Sequence, residues 1–239
     1  MTGAASGIGR AVATRLVDEG FEVLAVDLRP DADGPGVPYE ADLTDAGANA
    51  AAVQAAVDRF GRLDVVVANA GVQYVAPVEE FPVERWQSMI ALLLTSPFLL
   101  ARAAWPALRE SGDGRFIAIA SAHALVASPY KSAYVSAKHG VLGLVKTLAL
   151  EGADQGISAV AVCPGYVRTP LVEKQIGDQA RAHGVPEEQV LEQVILAPQA
   201  VKRLIEPEQI GDVVAFLTGP VGRAFTGTPV TLDHGWSAR

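Results

Sequence analysis

The chain is predicted to fold as a single α/β domain around a doubly wound parallel sheet. Three observations carry this. Short apolar runs near 21–26, 64–68, 115–120, 157–162 and 229–232 read as strands, and segments of helical periodicity near 7–19, 46–60, 83–109, 132–152 and 208–217 separate them. That alternation is the pattern of strand–helix–strand units, which build parallel sheets. A length of 239 residues suits one large domain, and a composition half hydrophobic supplies a large core. No repeat, low-complexity tract or linker divides the chain, and the Pro/Gly-rich piece 30–38 reads as a shortened connection.

The first element is a glycine loop, Met1-Thr-Gly-Ala-Ala-Ser-Gly-Ile-Gly9. Ile8, Val12 and Leu16 recur every four residues, so a helix should open near Gly7. Glycine lets backbone approach a ligand closely, and the free N–H groups and positive dipole end of a helix favour a pyrophosphate. The spacing T-G-x-x-x-G-x-G differs from the usual G-x-G-x-x-G, and a lone glycine loop also fits an ordinary turn. The second element raises its weight: the strand 21–26 ends at Asp27, twenty residues after Gly7. A carboxylate there can accept hydrogen bonds from an adenosine ribose and repels a 2′-phosphate. The loop holds no Lys or Arg to attract that phosphate, and Arg29 is the one cation close by. A Rossmann-type domain binding NAD is the expectation.

Further along, the most apolar stretch runs from Met89 to Ala101, broken by Pro97 and closed by Arg102. It falls short of a membrane span and reads as a buried helix that can also pack on another subunit. The strand 115–120 delivers Ser121, and the helix 132–152 carries Tyr134 and Lys138 four residues apart, hence on one face. A cation beside a tyrosine favours the phenolate and lowers its pKa from about 10. A tyrosine so tuned can take a proton from an alcohol, with Ser121 orienting the same oxygen. Hydride transfer to NAD completes that chemistry.

The net charge of −8 argues against nucleic acid or anionic membranes as partners. A single cysteine, Cys163, excludes an internal disulfide, suits a reducing cytosol and reads as a small buried hydrophobe. No secretory signal and no metal site is read in the chain.

With the glycine loop, Asp27, Ser121, Tyr134 and Lys138 in place, the chain resembles the short-chain dehydrogenase/reductase family over its full length. Thr2–Gly9, Asp42-Leu43, Asn69-Ala70-Gly71 and Pro164-Gly165 match as well. The resemblance implies that Gly3, Ser6, Gly7, Ile8 and Gly9 hold the cofactor's phosphates and that Asp42 and Leu43 lie by its adenine. It implies that Asn69, Ala70 and Gly71 support its centre, that Lys138 also binds the nicotinamide ribose, and that Pro164, Gly165, Val167 and Thr169 border the nicotinamide. Ser121, Tyr134 and Lys138 are the implied catalytic residues, and a homotetramer is the implied assembly.

The substrate end is unusually polar for the family: Gln73, His123, Lys131 and Gln175 are donors that, converging, suit a carboxylate. Singly, each also reads as an ordinary surface or loop residue. Together with Trp236, they resemble the members of the family that oxidise 3-hydroxybutyrate, and the resemblance places them around the substrate. Residues 171–203, punctuated by Pro186 and Pro198, would be a jointed cover. Two other readings share these residues: a family member acting on a neutral secondary alcohol, sugar or steroid, and an impaired, non-catalytic NAD-binding protein.

Two departures from the family stand out. Leu93 aligns where the family carries an asparagine that helps hold a relay water. The family's first strand, central in the sheet, is missing before Thr2. Its loss should leave a gap of roughly 10 Å between its neighbours and leave buried backbone groups unpaired. Family members place valine before Thr-Gly, and a bacterial valine codon can start translation, so Met1 is expected to mark a misassigned start.

Overall fold

The computed structural model describes residues 1–238. A glycine loop leads into α1 (Gly7–Asp18), followed by β1 (Leu24–Asp27), β2 (Val37–Glu40), α2 (Ala46–Phe60) and β3 (Val65–Ala68). Then come α3 (Val83–Ile90), a π-helical turn (Ala91–Thr95), α4 (Ser96–Glu110), β4 (Gly114–Ile119), α5 (Ser132–Gly152) and β5 (Ile157–Pro164). Short helices α6 (Pro170–Glu173), α7 (Ile176–His183) and α8 (Glu187–Val190) precede α9 (Pro207–Thr218) and β6 (Pro229–Leu232).

All strand pairs are parallel: β1 with β2, and β3, β4, β5 and β6 in that order. Both β4 and β5 are buried along their whole length, as expected of strands covered on both faces. One cover packs Val12, Leu16, Ile210 and Val214 of α1 and α9 on the sheet, and the other packs Leu100, Leu108, Val141 and Val145 of α4 and α5. The doubly wound α/β fold is thus as the alternation of elements predicts.

Three details bear on the sequence reading. The connection 30–38 contains the edge strand β2, whose residues alternate between half-buried and exposed. Pro38 has no N–H to donate, a loss an edge strand tolerates. The apolar stretch 89–101 belongs to a continuous helix, Val83–Glu110, of 28 residues, long and apolar enough to cross a membrane by those measures alone. In the fold it carries a π-turn and Pro106 and packs against α2, α5, β3 and β4 as a core helix.

The third concerns the central gap. Residues 1–4 run between β1 and β3 and bridge them. Thr2 pairs in parallel with Val26, its N–H donates to the Val67 carbonyl (3.1 Å), and the Val26 N–H donates to the Met1 carbonyl (2.9 Å). The gap is therefore closed where the glycine loop departs. Beneath it lies a cavity of about 260 Å³, walled by Leu16, Val23, Phe60, Val65 and Val67 among others. Met1 lines it, its nitrogen donating to the Leu24 carbonyl (3.0 Å).

Candidate active site

The C-terminal ends of the strands open on a cavity of about 580 Å³. Such sheets hold ligands at this edge. Every residue assigned above to cofactor, substrate or chemistry lines it, from Gly3 to Trp236.

At one end the glycine loop turns into α1. Ser6 is extended (φ −153°, ψ 169°), and its side chain makes no capping bond, so the first-turn N–H groups meet the cavity without a side-chain acceptor. That arrangement fits an anionic phosphate group. Gly3 has φ +65°, and a Cβ on Gly9 would lie 1.8 Å from the Gly3 carbonyl oxygen, so the helix start packs directly on the loop. Asn69 ties this loop down: its Nδ2 donates to the carbonyls of Thr2 (2.9 Å) and Gly3 (3.2 Å). The backbone N–H groups of Asn69 and Ala70 donate to Thr2 Oγ1 (2.9 and 3.1 Å). The Asn69-Ala70-Gly71 turn therefore shapes the phosphate loop as well as lining the cavity.

Asp27 ends β1 facing the same end. Its two oxygens accept from the N–H groups of Ala5 and Arg29, each at 3.1 Å, which fixes the carboxylate across the cavity mouth. Asp42 accepts from the hydroxyl (2.7 Å) and N–H (2.9 Å) of Thr44, bonds that hold its pKa below the usual carboxylate range. Ser6, Asp27, Asp42 and Leu43 together offer an anion-binding helix end and a hydroxyl-accepting carboxylate, a donor and acceptor set that fits a dinucleotide.

Ser121 follows β4. Its Oγ accepts from the His123 N–H (3.1 Å) and lies 3.3 Å from His123 Nδ1. Tyr134 and Lys138 lie on the first turns of α5. Burial pushes the Tyr134 phenol up to a pKa of about 12, while a Ser121 hydrogen bond pulls it down. Lys138 Nζ donates to the Ile119 carbonyl (2.7 Å), sits 5.5 Å from the Tyr134 ring centre, and is lowered by burial to about 8. This departs from the expectation of a phenol lowered by Lys138: in this structure burial sets the direction of the shift, and Lys138 spends one of its three N–H donors on the Ile119 carbonyl.

Leu93 lies in the π-turn, 1% exposed, packed with Met89, Ala133 and Ala137 and against Tyr134. Apolar contacts fill the place where an asparagine would present an amide.

The other end gathers the predicted donors. Lys131 immediately precedes α5 and is 2% exposed; its Nζ donates to the Tyr166 hydroxyl (2.8 Å), and burial lowers its pKa to about 7. His123 is buried, its Nε2 3.0 Å from Ser128 Oγ. Burial first, then the Lys131 charge, push its pKa well down, so it is a neutral imidazole at pH 7. Gln175 Nε2 donates to the Leu171 carbonyl (3.0 Å), whereas its Oε1 is buried with no partner. Gln73 turns its Oε1 back to the Tyr74 N–H (3.0 Å). Trp236 stacks on Tyr166 at 5.3 Å and 7° and meets His123 edge-on at 4.8 Å.

Residues 170–195, which take in Pro170 and part of the segment 171–203 expected as a cover, pack beside this end. Val172, Ala180, Val190 and Ile195 form a small core with Tyr166 and Trp236, and Leu171, Val172 and Gln175 face the cavity. Tyr166, Ser88 and Leu92 also line the cavity without having been singled out from sequence. For Tyr166 the signal is its place directly after Pro164-Gly165, at the exit of a buried strand.

Known proteins share this fold and resemble the chain along its length. A family model described as enoyl-(acyl carrier protein) reductase matches residues 3–237. The D-beta-hydroxybutyrate dehydrogenase of Rhizobium meliloti is 45% identical over all of this chain and 98% of its own length. That of Cupriavidus necator is 39% identical over all of this chain and 97% of its own. Among solved structures, the aldohexose dehydrogenase of Thermoplasma acidophilum superposes with a TM-score of 0.91 at 30% identity, covering all of this chain and 92% of that one. Levodione reductase gives 0.89 at 31%, covering 99% of this chain and 96% of that one.

Proposed function

Since this chain belongs to the short-chain dehydrogenase/reductase family of oxidoreductases, we propose that it oxidises a small 3-hydroxy acid, 3-hydroxybutyrate foremost, to the 3-oxo acid. NAD, when bound, accepts the hydride. The start of α1 would hold its pyrophosphate, Asp27 its adenosine ribose and Lys138 its nicotinamide ribose. Val167 and Thr169 would lie beside its carboxamide.

Tyr134 takes the alcohol proton, and Ser121 holds the alcohol oxygen. A positive charge brought near the phenol lowers its pKa, which makes a base of a group that burial alone keeps protonated. Burial of Leu93 beside Tyr134 leaves the proton without the family's asparagine on its way out.

The observation that carries the substrate class is Lys131. A buried ammonium is costly unless an anion accompanies it. Its hydrogen-bond partner is a neutral phenol, and the acidic residues lining the cavity, Asp27 and Asp42, belong to the dinucleotide end. A substrate carboxylate supplies the missing charge. The two D-beta-hydroxybutyrate dehydrogenases support the same reading. A neutral substrate is the second reading, favoured by the likeness to an aldohexose dehydrogenase and to levodione reductase.

Initial rates of NADH and NADPH production from D- and L-3-hydroxy acids and from neutral secondary alcohols test the proposal. A preference for a 3-hydroxy acid with NAD supports it; a preference for neutral alcohols overturns it. We place the enzyme in the cytosol as a homotetramer. Buried Cys163, its thiol pushed up by burial to about 11, suits a compartment without disulfide chemistry, and light scattering tests the assembly.

A further inference from the structure

We propose that Tyr166 determines specificity at the substrate end: its hydroxyl is a second donor to the substrate carboxylate, beside Lys131. The inference rests on the proposed 3-hydroxy-acid substrate and adds a residue that neither the sequence motifs nor the family pattern marked.

The geometry is specific. Tyr166 Oη accepts from Lys131 Nζ at 2.8 Å, while Nζ lies 4.8 Å from the ring centre. A phenol that accepts through its oxygen keeps its own O–H to donate. Lys131 and Tyr166 thus present an ammonium N–H and a phenolic O–H from adjacent points, and both residues line the same cavity as Tyr134. A carboxylate has two oxygens and takes such a pair of donors.

The position is also rigid. The Tyr166 N–H donates to Gln199 Oε1 (3.2 Å), and its carbonyl accepts from the Ile205 N–H (2.9 Å). Gln199 is in turn held by the carbonyls of Val201 (3.3 Å) and Arg203 (2.8 Å). The ring is clamped between the Trp236 stack and the edge of His123, whose centre is 6.5 Å away. His123 also meets the Tyr134 ring edge-on at 5.8 Å, so the phenol that binds acid and the phenol that takes the proton share one aromatic wall. A fixed spacing between them selects the length of the hydroxy acid that spans the site.

The test is Tyr166→Phe in the full-length chain, which keeps the stack and removes the hydroxyl. A hydrogen bond to a charged partner contributes enough that KM for 3-hydroxybutyrate should rise roughly 10- to 100-fold. The kcat should stay within about threefold, and KM for butan-2-ol should not move. Combining Tyr166→Phe with Lys131→Met should raise KM for the acid by less than the product of the single effects, since both act on one carboxylate. An unchanged acid KM in Tyr166→Phe overturns the inference, and so does an equal rise for butan-2-ol, which would mark a purely structural wall. If the wild-type chain itself shows no preference for the acid over butan-2-ol, the substrate reading fails, and the carboxylate role of Tyr166 falls with it.

Discussion

Replacement of Lys131 by methionine keeps most of the side-chain volume and removes the charge. Burial lowers the Lys131 pKa from 10.5 to about 7, a difference of 3.5, which corresponds to about 5 kcal/mol of solvation withheld from the ammonium. An anion that restores part of that solvation gains at most this amount. A charge-assisted hydrogen bond contributes about 1.5–3 kcal/mol. The two bounds place the expected rise in KM for 3-hydroxybutyrate between roughly 10- and 4,000-fold, with butan-2-ol little affected. A pH series adds a second readout. The protonated lysine binds the carboxylate, and its pKa in the free site is near 7. Affinity is therefore greatest below pH 7 and falls about tenfold per unit as pH rises above it, toward a plateau set by binding to the neutral amine. The groups facing Lys131 include His123, Tyr134, Tyr166 and His183; both imidazoles are lowered, so neither gains a charge above pH 7. Initial-rate kinetics with saturating NAD from pH 6 to 10 measure this for wild type and Lys131→Met. Loss of the pH limb in the variant is expected. A wild-type KM that is flat across that range, or a variant with wild-type KM, refutes the carboxylate assignment.

Tyr134→Phe should abolish turnover while NADH still binds, as measured by fluorescence; a near-normal kcat would exclude Tyr134 as the base. Leu93→Asn should raise kcat if the missing amide limits proton release, and a kcat at or below wild type would show that the chain manages without it. Gly9→Ala drives a methyl group into the Gly3 carbonyl oxygen, 1.8 Å away, and should weaken NADH binding at least tenfold and lower Tm; unchanged binding would show that the loop can relax.

Much of the dinucleotide end was legible in the sequence because its logic is local. Gly7 and Gly9 sit on a helix start, Asp27 closes the next strand, and Tyr134 and Lys138 are one helical turn apart. The chemistry of Tyr134 was less so: spacing brings Lys138 to the same face, but its Nζ bonds Ile119 across the fold, and burial decides the phenol's pKa. The donor set at the substrate end was legible as residue types, but its arrangement was not. Lys131 and Tyr166 are 35 residues apart, and only the meeting of α5 with the exit of β5 joins them. The strand β2 escaped because an edge strand with a proline carries little apolar signal. The expected gap ahead of the glycine loop is bridged instead: residues 1–4 bond both Val26 and Val67, which depends on how the loop leaves the sheet.

On the proposed function, the site oxidises an acid whose charge Lys131 receives. The direct measurement is the ratio of kcat/KM for D-3-hydroxybutyrate to that for butan-2-ol, with NAD at pH 7. Two donors on one carboxylate predict a ratio of at least about 100. A ratio near one, or below it, contradicts the account.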